Sequence, residues 1–198
     1  MKKIVIFLAV FLFALTNKDI QNIYYKSYNY EKMKDYKDAI KVLIPLYNKY
    51  SGSYTLNLRL GWLFYLDKNY NNSIKYYQKT SLVLPYSVEV KLGLMRDYLA
   101  LQNYKEALKT GNLILREDYY NYYGNYYEIL AFKSIKDYKS ALSITNKMLT
   151  LYPTSVLFLN SLGEIYYSEG KKDLAKKVFE TVLTLSPNDI IANGYIKK

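Results

Sequence analysis

The chain has 198 residues, 51 % of them apolar, with only 4 Pro and 8 Gly. That is enough to bury a sizeable core, and too poor in turn formers for a turn-rich β sandwich. Cys and His are both absent, which excludes thiolate nucleophiles, disulfides, imidazole bases and the usual zinc or haem ligands. The formal charge is +11, but basic residues cluster only in pairs such as Lys171-Lys172 and Lys176-Lys177, a pattern of solvated helix faces. Tyr is the unusual component, at 26 residues against 7 Phe and 1 Trp.

The chain opens on Met1-Lys2-Lys3. Twelve apolar residues follow without a break, Ile4 to Leu15, and Thr16, Asn17, Lys18 and Asp19 end the run. This is the charged start and apolar stretch of a secretory signal. At 1.5 Å per residue the run reaches about 18 Å, short of the ~30 Å hydrocarbon layer. Residues 1–16 are therefore expected to be a signal peptide, with an uncleaved membrane anchor as the alternative. Loss of Lys2 and Lys3 would lower the formal charge from +11 to +9. No Cys follows the run, so a lipid-linked amino terminus is not expected.

Beyond the signal, one period organises the chain. Ala39, Ser73, Ala107, Ala141 and Ala175 are each 34 residues apart, as are Tyr30, Phe64, Tyr98, Phe132 and Tyr166. Tyr36, Tyr70, Tyr104 and Tyr138 follow the same spacing, with Lys172 as the exception, and Pro85, Pro153 and Pro187 share one phase. Each unit holds two apolar stretches at helical spacing with a polar turn between them. Small residues midway along the first helix (Ser27, Gly61, Gly163) and at the Ala positions of the second let the two helices approach closely. Rings pack around that contact, and Pro at the end of a unit stops the helix.

These features resemble the tetratricopeptide repeat (TPR) family. The best units are Leu162-Gly163…Tyr166…Ala175…Phe179…Pro187 and Leu60-Gly61…Phe64…Tyr70…Ser73…Tyr77…Pro85. The resemblance implies an all-α, right-handed α-solenoid of five helix-turn-helix hairpins. The repeats are 20–53, 54–87, 88–121, 122–155 and 156–189, followed by a short cap over 190–198. There are departures from the family pattern. Met95 and Ile129 stand where a small residue is usual, so the helices of repeats 3 and 4 are expected to sit further apart. Gly111 replaces a large apolar residue, and Lys26 stands beside Ser27 at an apolar place.

Reactive motifs are lacking. There is no Gly-rich phosphate loop. Lys109-Thr110-Gly111 and Ser168-Glu169-Gly170-Lys171 are fragments of a serine β-lactamase signature in the wrong order, on helical hairpins. Asn71-Asn72-Ser73 is a sequon whose Ser occupies a buried position. Glu117-Asp118 is a helix-end feature without metal-binding company. No enzyme activity, cofactor, metal or small-molecule substrate is expected.

The resemblance implies a partner groove lined by first helices. Carried over by register, its residues are Tyr24, Tyr28, Leu58, Trp62, Tyr65, Leu92, Arg96, Tyr123, Tyr126 and Tyr167. The set is aromatic and aliphatic, with Arg96 as the central cation, which suits a peptide segment or helix of another protein. Tyr24 and Tyr28 stand where some TPR grooves carry basic residues for chaperone tails, so that role is disfavoured. Six Tyr crowd the ten residues Asp118 to Tyr127, too many to bury on one side of a helix start. The leading reading is an exported, periplasmic or cell-envelope scaffold or assembly factor. The alternative is a polyanion binder for nucleic acid or an anionic envelope polymer, through Lys75, Lys79, Lys105, Lys109, Lys139 and Lys147. Membrane contact is expected only through the amino-terminal segment. The export reading predicts a mature chain starting near Asn17. N-terminal sequencing of protein from the envelope fraction checks it, and full-length chain confined to the cytosol would refute it.

Overall fold

The computed structural model describes residues 15–196. All but the last two residues of the expected signal segment 1–16 lie outside the described residues. Among those described there are twelve helices and no strand, and none of the helices is long and apolar enough to cross a membrane. The chain divides into two compact units, Met1–Ser51 and Gly52–Lys198.

In the first unit, α1 spans Asn17–Lys32 and starts on a reciprocal capping box between Thr16 and Asp19. Two short helices follow, α2 over Tyr36–Lys41 and α3 over Ile44–Lys49. Pro45 accounts for the break, because it has no N–H to continue the ladder and its ring crowds the preceding turn. Ala39 and Leu43 are fully buried against this crossing, as is Ser27.

The second unit is a stack of hairpins. α4 (Tyr54–Leu66) pairs with α5 (Tyr70–Val83), α6 (Val88–Ala100) with α7 (Tyr104–Leu115), α8 (Tyr122–Ser134) with α9 (Tyr138–Leu151), and α10 (Val156–Ser168) with α11 (Lys172–Leu185). The first helices also touch one another in sequence, α4 with α6, α6 with α8 and α8 with α10, so they form one continuous face. Ser53, Ser87, Asn121 and Ser155 cap the first helices with side-chain oxygens, and Asn69, Asn103 and Asp137 cap the second ones. Each cap satisfies backbone donors that a helix start leaves without partners.

The turn inside each hairpin is also periodic. Lys34, Lys68, Gln102, Lys136 and Gly170 all take left-handed backbone, with φ of 60°, 59°, 58°, 62° and 78°. The next residue donates its N–H back to the carbonyl of the residue five earlier, as from Asn69 to Phe64 at 2.8 Å and from Asp137 to Phe132 at 2.9 Å. This is the Schellman closure that favours Gly at the left-handed position, yet only the last turn has one.

In three of these hairpins a glycine on one helix faces a large side chain on the other. A Cβ on Gly61 would meet the Tyr77 ring at 2.8 Å, and one on Gly163 would meet the Phe179 ring at 2.6 Å. In α6 and α7 the order is reversed. Met95 takes the small-residue place, and Gly111 opposite it leaves room, since a Cβ there would lie 2.8 Å from Met95 Cε. The departures at Met95 and Gly111 are thus two halves of one exchange, and both residues are fully buried or nearly so.

The carboxy-terminal segment forms α12 over Ile190–Ile196, capped by Asp189, whose Oδ1 accepts the Ala192 N–H at 2.8 Å. Ile190, Ile191 and Ile196 are exposed, whereas Ala192 is buried and Tyr195 stacks on Phe179 at 4.6 Å. Positions three apart share a helix face, so Ala192 and Tyr195 turn inward together.

Ala141 is fully buried in the cluster of Ile129, Met148, Phe158 and Ile165. Ala141→Leu is expected to cost about 1–3 kcal/mol by overpacking, read as a lower urea midpoint at an unchanged slope.

Candidate functional site

On the face formed by the first helices lies a cleft of about 500 Å³, lined by Leu58 and Trp62 of α4, Tyr77 of α5, Glu89, Leu92 and Arg96 of α6, and Tyr123 and Tyr127 of α8. Helical spacing makes each contribution a stripe, since residues three, four or seven apart share one face. Arg96 sits at the centre. Its guanidinium carbon lies 4.7 Å from the Trp62 ring centroid and 5.4 Å from that of Tyr65, and the two rings stack on each other at 5.6 Å. Its charge also bears on the phenols of Tyr77 and Tyr127, where it opposes the upward shift that burial causes. Burial raises the phenols of Tyr65, Tyr77 and Tyr127 above their ordinary value, so these hydroxyls stay neutral. The result is a cation held face-on by aromatic rings, with aliphatic and aromatic walls around it.

Tyr77 reaches the cleft from a second helix. It passes between two glycines, because a Cβ on Gly93 would fall 2.5 Å from its Cζ and one on Gly61 2.8 Å from its ring. Beneath the cleft, Asp97 is completely buried. Its Oδ2 lies 2.7 Å from the Ser73 hydroxyl, which is also 2.8 Å from the Gly61 carbonyl. Burial pushes the Asp97 carboxyl up from 3.8 to about 7. Glu128 of α8 is also buried and pushed up to about 7, with Lys147 the charge that opposes the shift. Its side chain fills the space over Gly111, where a Cβ would come within 2.8 Å of Oε1.

Residues 158–189 match the family model for the tetratricopeptide repeat. This segment is a tetratricopeptide repeat. The chain is similar in fold to several solved TPR structures. MamA of Desulfovibrio magneticus, from residue 41 to its end, is 15 % identical with a TM-score of 0.74, over 89 % of this chain and 99 % of that one. TTC0263, a TPR protein of Thermus thermophilus, is 15 % identical with a TM-score of 0.72, over 89 % and 97 %. A TPR protein from Parabacteroides merdae is 18 % identical with a TM-score of 0.75, over 88 % and 70 %. At these identities the likeness is one of fold.

Within the stack of hairpins, Leu58, Trp62, Leu92, Arg96 and Tyr123 lie together on the cleft wall, and Tyr65 stands behind Trp62 as the second ring under Arg96. Tyr126 faces the core instead, with its ring 6.4 Å from Phe158. Tyr167 packs edge-on against Tyr195 at 4.8 Å. Tyr24 and Tyr28 belong to the first compact unit, where Tyr24 is half-buried and Tyr28 exposed. Register alone missed Tyr77 and Tyr127 as cleft residues. Gly93 was the available signal for Tyr77, since a second glycine one helix away from Gly61 marks a gap that a ring must fill. Among the alternative's lysines, Lys147 lies 3.8 Å from the Tyr119 ring centroid and donates to the Tyr119 carbonyl. Lys105 and Lys109 share the outer face of α7 with Leu108, Leu113 and Arg116.

Because the Tyr77 ring is enclosed on both sides, Gly93→Ala is expected to cost about 1–3 kcal/mol. Urea melts of Gly93→Ala, Tyr77→Leu and the double variant check this, since the double variant should lose less than the sum of the two.

Proposed function

We propose that the chain is a protein-interaction scaffold of the cell envelope, exported by its amino-terminal segment, which holds a peptide segment or helix of a partner in the cleft around Arg96. The carrying observation is the guanidinium stacked on Trp62 within walls of Leu58, Leu92, Tyr123 and Tyr127. Such a site suits apolar anchors beside one acidic group. The rings supply contact area at low entropy cost, and the cation supplies orientation. Glu89 on the same wall disfavours a second acidic group close by. Similarity in fold to TPR proteins supports the binding role in general terms, and the apolar run Ile4–Leu15 supports export.

The polyanion reading rests on the group formed by Lys105, Lys109 and Arg116 on α7. Ionic strength separates the two, because binding through phosphates or similar charges weakens steeply with salt, whereas burial of rings does not. A photo-crosslinking residue at Leu58 in intact cells identifies the partner. With that partner, Trp62→Ala is expected to weaken binding by roughly thirty-fold, at about 2 kcal/mol for a central indole, and Lys109→Ala to change it little. A larger loss from Lys109→Ala, with strong salt dependence, would overturn the cleft reading in favour of the polyanion one.

A further inference from the structure

We propose that Asp97 is a proton-held brace beneath the cleft: its protonated carboxyl ties α6 to α5 and α4 through Ser73, and loss of that proton draws Arg96 away from the rings that present it. The consequence for a partner rests on the cleft reading above, but the device itself is a property of the chain alone.

The two contacts of the Ser73 hydroxyl fix where a proton must sit. Ser73 Oγ lies 2.8 Å from the Gly61 carbonyl oxygen and 2.7 Å from Asp97 Oδ2. A hydroxyl has one proton to donate, and a carbonyl can only accept. Both contacts are hydrogen bonds at once only if Asp97 supplies the second proton. The chain then runs from the Asp97 carboxyl to Ser73 and from Ser73 to Gly61, linking three helices. The alanine place of the second repeat carries Ser for this reason, and α6 bears a carboxyl at a fully buried position.

The surroundings favour the neutral form. Arg96 and Tyr98 of α6, Tyr65 of α4, and Ser73 and Tyr77 of α5 are the titratable or polar groups around Asp97. Arg96 is the sole cation among them. Desolvation outweighs it and raises the carboxyl from 3.8 to about 7. The folded chain therefore holds this proton more tightly than the unfolded one. The resulting stability is complete below the unfolded value near 4 and is lost as pH rises through about 7.

Ionisation rearranges the junction. Ser73 turns its single proton to the carboxylate, and the Gly61 carbonyl loses that bond. Among the described residues, no donor reaches Asp97 Oδ1. The nearest positive charge is Arg96, the preceding residue, whose guanidinium rests on Trp62 and Tyr65. Attraction between opposite charges in a poorly solvated site is strong, and it pulls the guanidinium off the ring faces toward α6. The cleft then loses the cation that would hold a partner's acidic group. Binding is thus favoured at mildly acidic to neutral pH and relaxed above it.

Trp62 is the only Trp in the chain, so its emission reports on this one site when excited at the red edge of indole absorption. The full chain is titrated without any partner from about pH 5 to about pH 9, a range that spans the expected carboxyl step. We expect one step near 7 in the native chain and none in Asp97→Asn. Ser73→Ala removes a donor to the charged form and should move the step to higher pH. Glu128→Gln, which removes the other buried carboxyl, should leave the step in place. A flat native profile, a step that persists in Asp97→Asn, or one abolished in Glu128→Gln overturns the proposal. If Asp97→Asn does not fold, an unmoved step in Ser73→Ala overturns it instead. Failure of the cleft reading would appear separately, as a native pH step with no crosslinked partner at Leu58.

Discussion

One constraint runs through three of the four hairpins of the second compact unit: where their helices cross, they come close enough that one of them must give up its side chain. Where the first helix carries Gly, as at Gly61 and Gly163, the second supplies a ring, Tyr77 or Phe179. Where the first helix carries Met95, the second supplies Gly111. Close-packed interiors tolerate neither a void nor an overlap at such a contact. The cleft depends on this exchange. Tyr77 reaches its floor only because Gly61 and Gly93 leave a slot, and Glu128 is buried only because Gly111 leaves space above it.

A second regularity lies in the turns. The residue after each left-handed position closes one helix with its N–H and, where it is Asp or Asn, opens the next with its side chain. One residue thus ends one element and starts another, which keeps the hairpin turn short. The left-handed residue itself is Lys, Lys, Gln and Lys before it is Gly. A side chain there costs about 1–2 kcal/mol, which the paired closure and cap offset. The last hairpin has the reverse arrangement, a relaxed Gly170 followed by Lys171, which makes no side-chain cap.

Charge in this fold is used sparingly and at depth. Arg96 rests on ring faces, and the adjacent Asp97 is turned into the helix junction. Lys133 and Glu164 pair between α8 and α10 on the same face. The cleft therefore keeps one cation in an aromatic setting, with Glu89 on its wall. A partner would meet a site whose polarity is concentrated at a single point.

Much of the fold was legible because the sequence repeats. Ala39, Ala107, Ala141 and Ala175 mark the helix crossings, since these are periodic demands that the chain states from repeat to repeat. The same register brought Leu58, Trp62, Leu92, Arg96 and Tyr123 to one face. It could not say which Tyr turn inward, because a Tyr buries or exposes its ring with equal chemical ease. Tyr126 and Tyr167 pack against Phe158 and Tyr195, whereas Tyr127 lines the cleft. Nor could it pair Met95 with Gly111 or Ser73 with Asp97, which stand on different helices. The sequence by itself determined the period, the helices and the small residues at their crossings, all of which are properties of neighbours along the chain. Only the tertiary structure decided which large residue fills each gap and which buried carboxyl finds a partner, because these depend on distances between segments that local pattern does not encode.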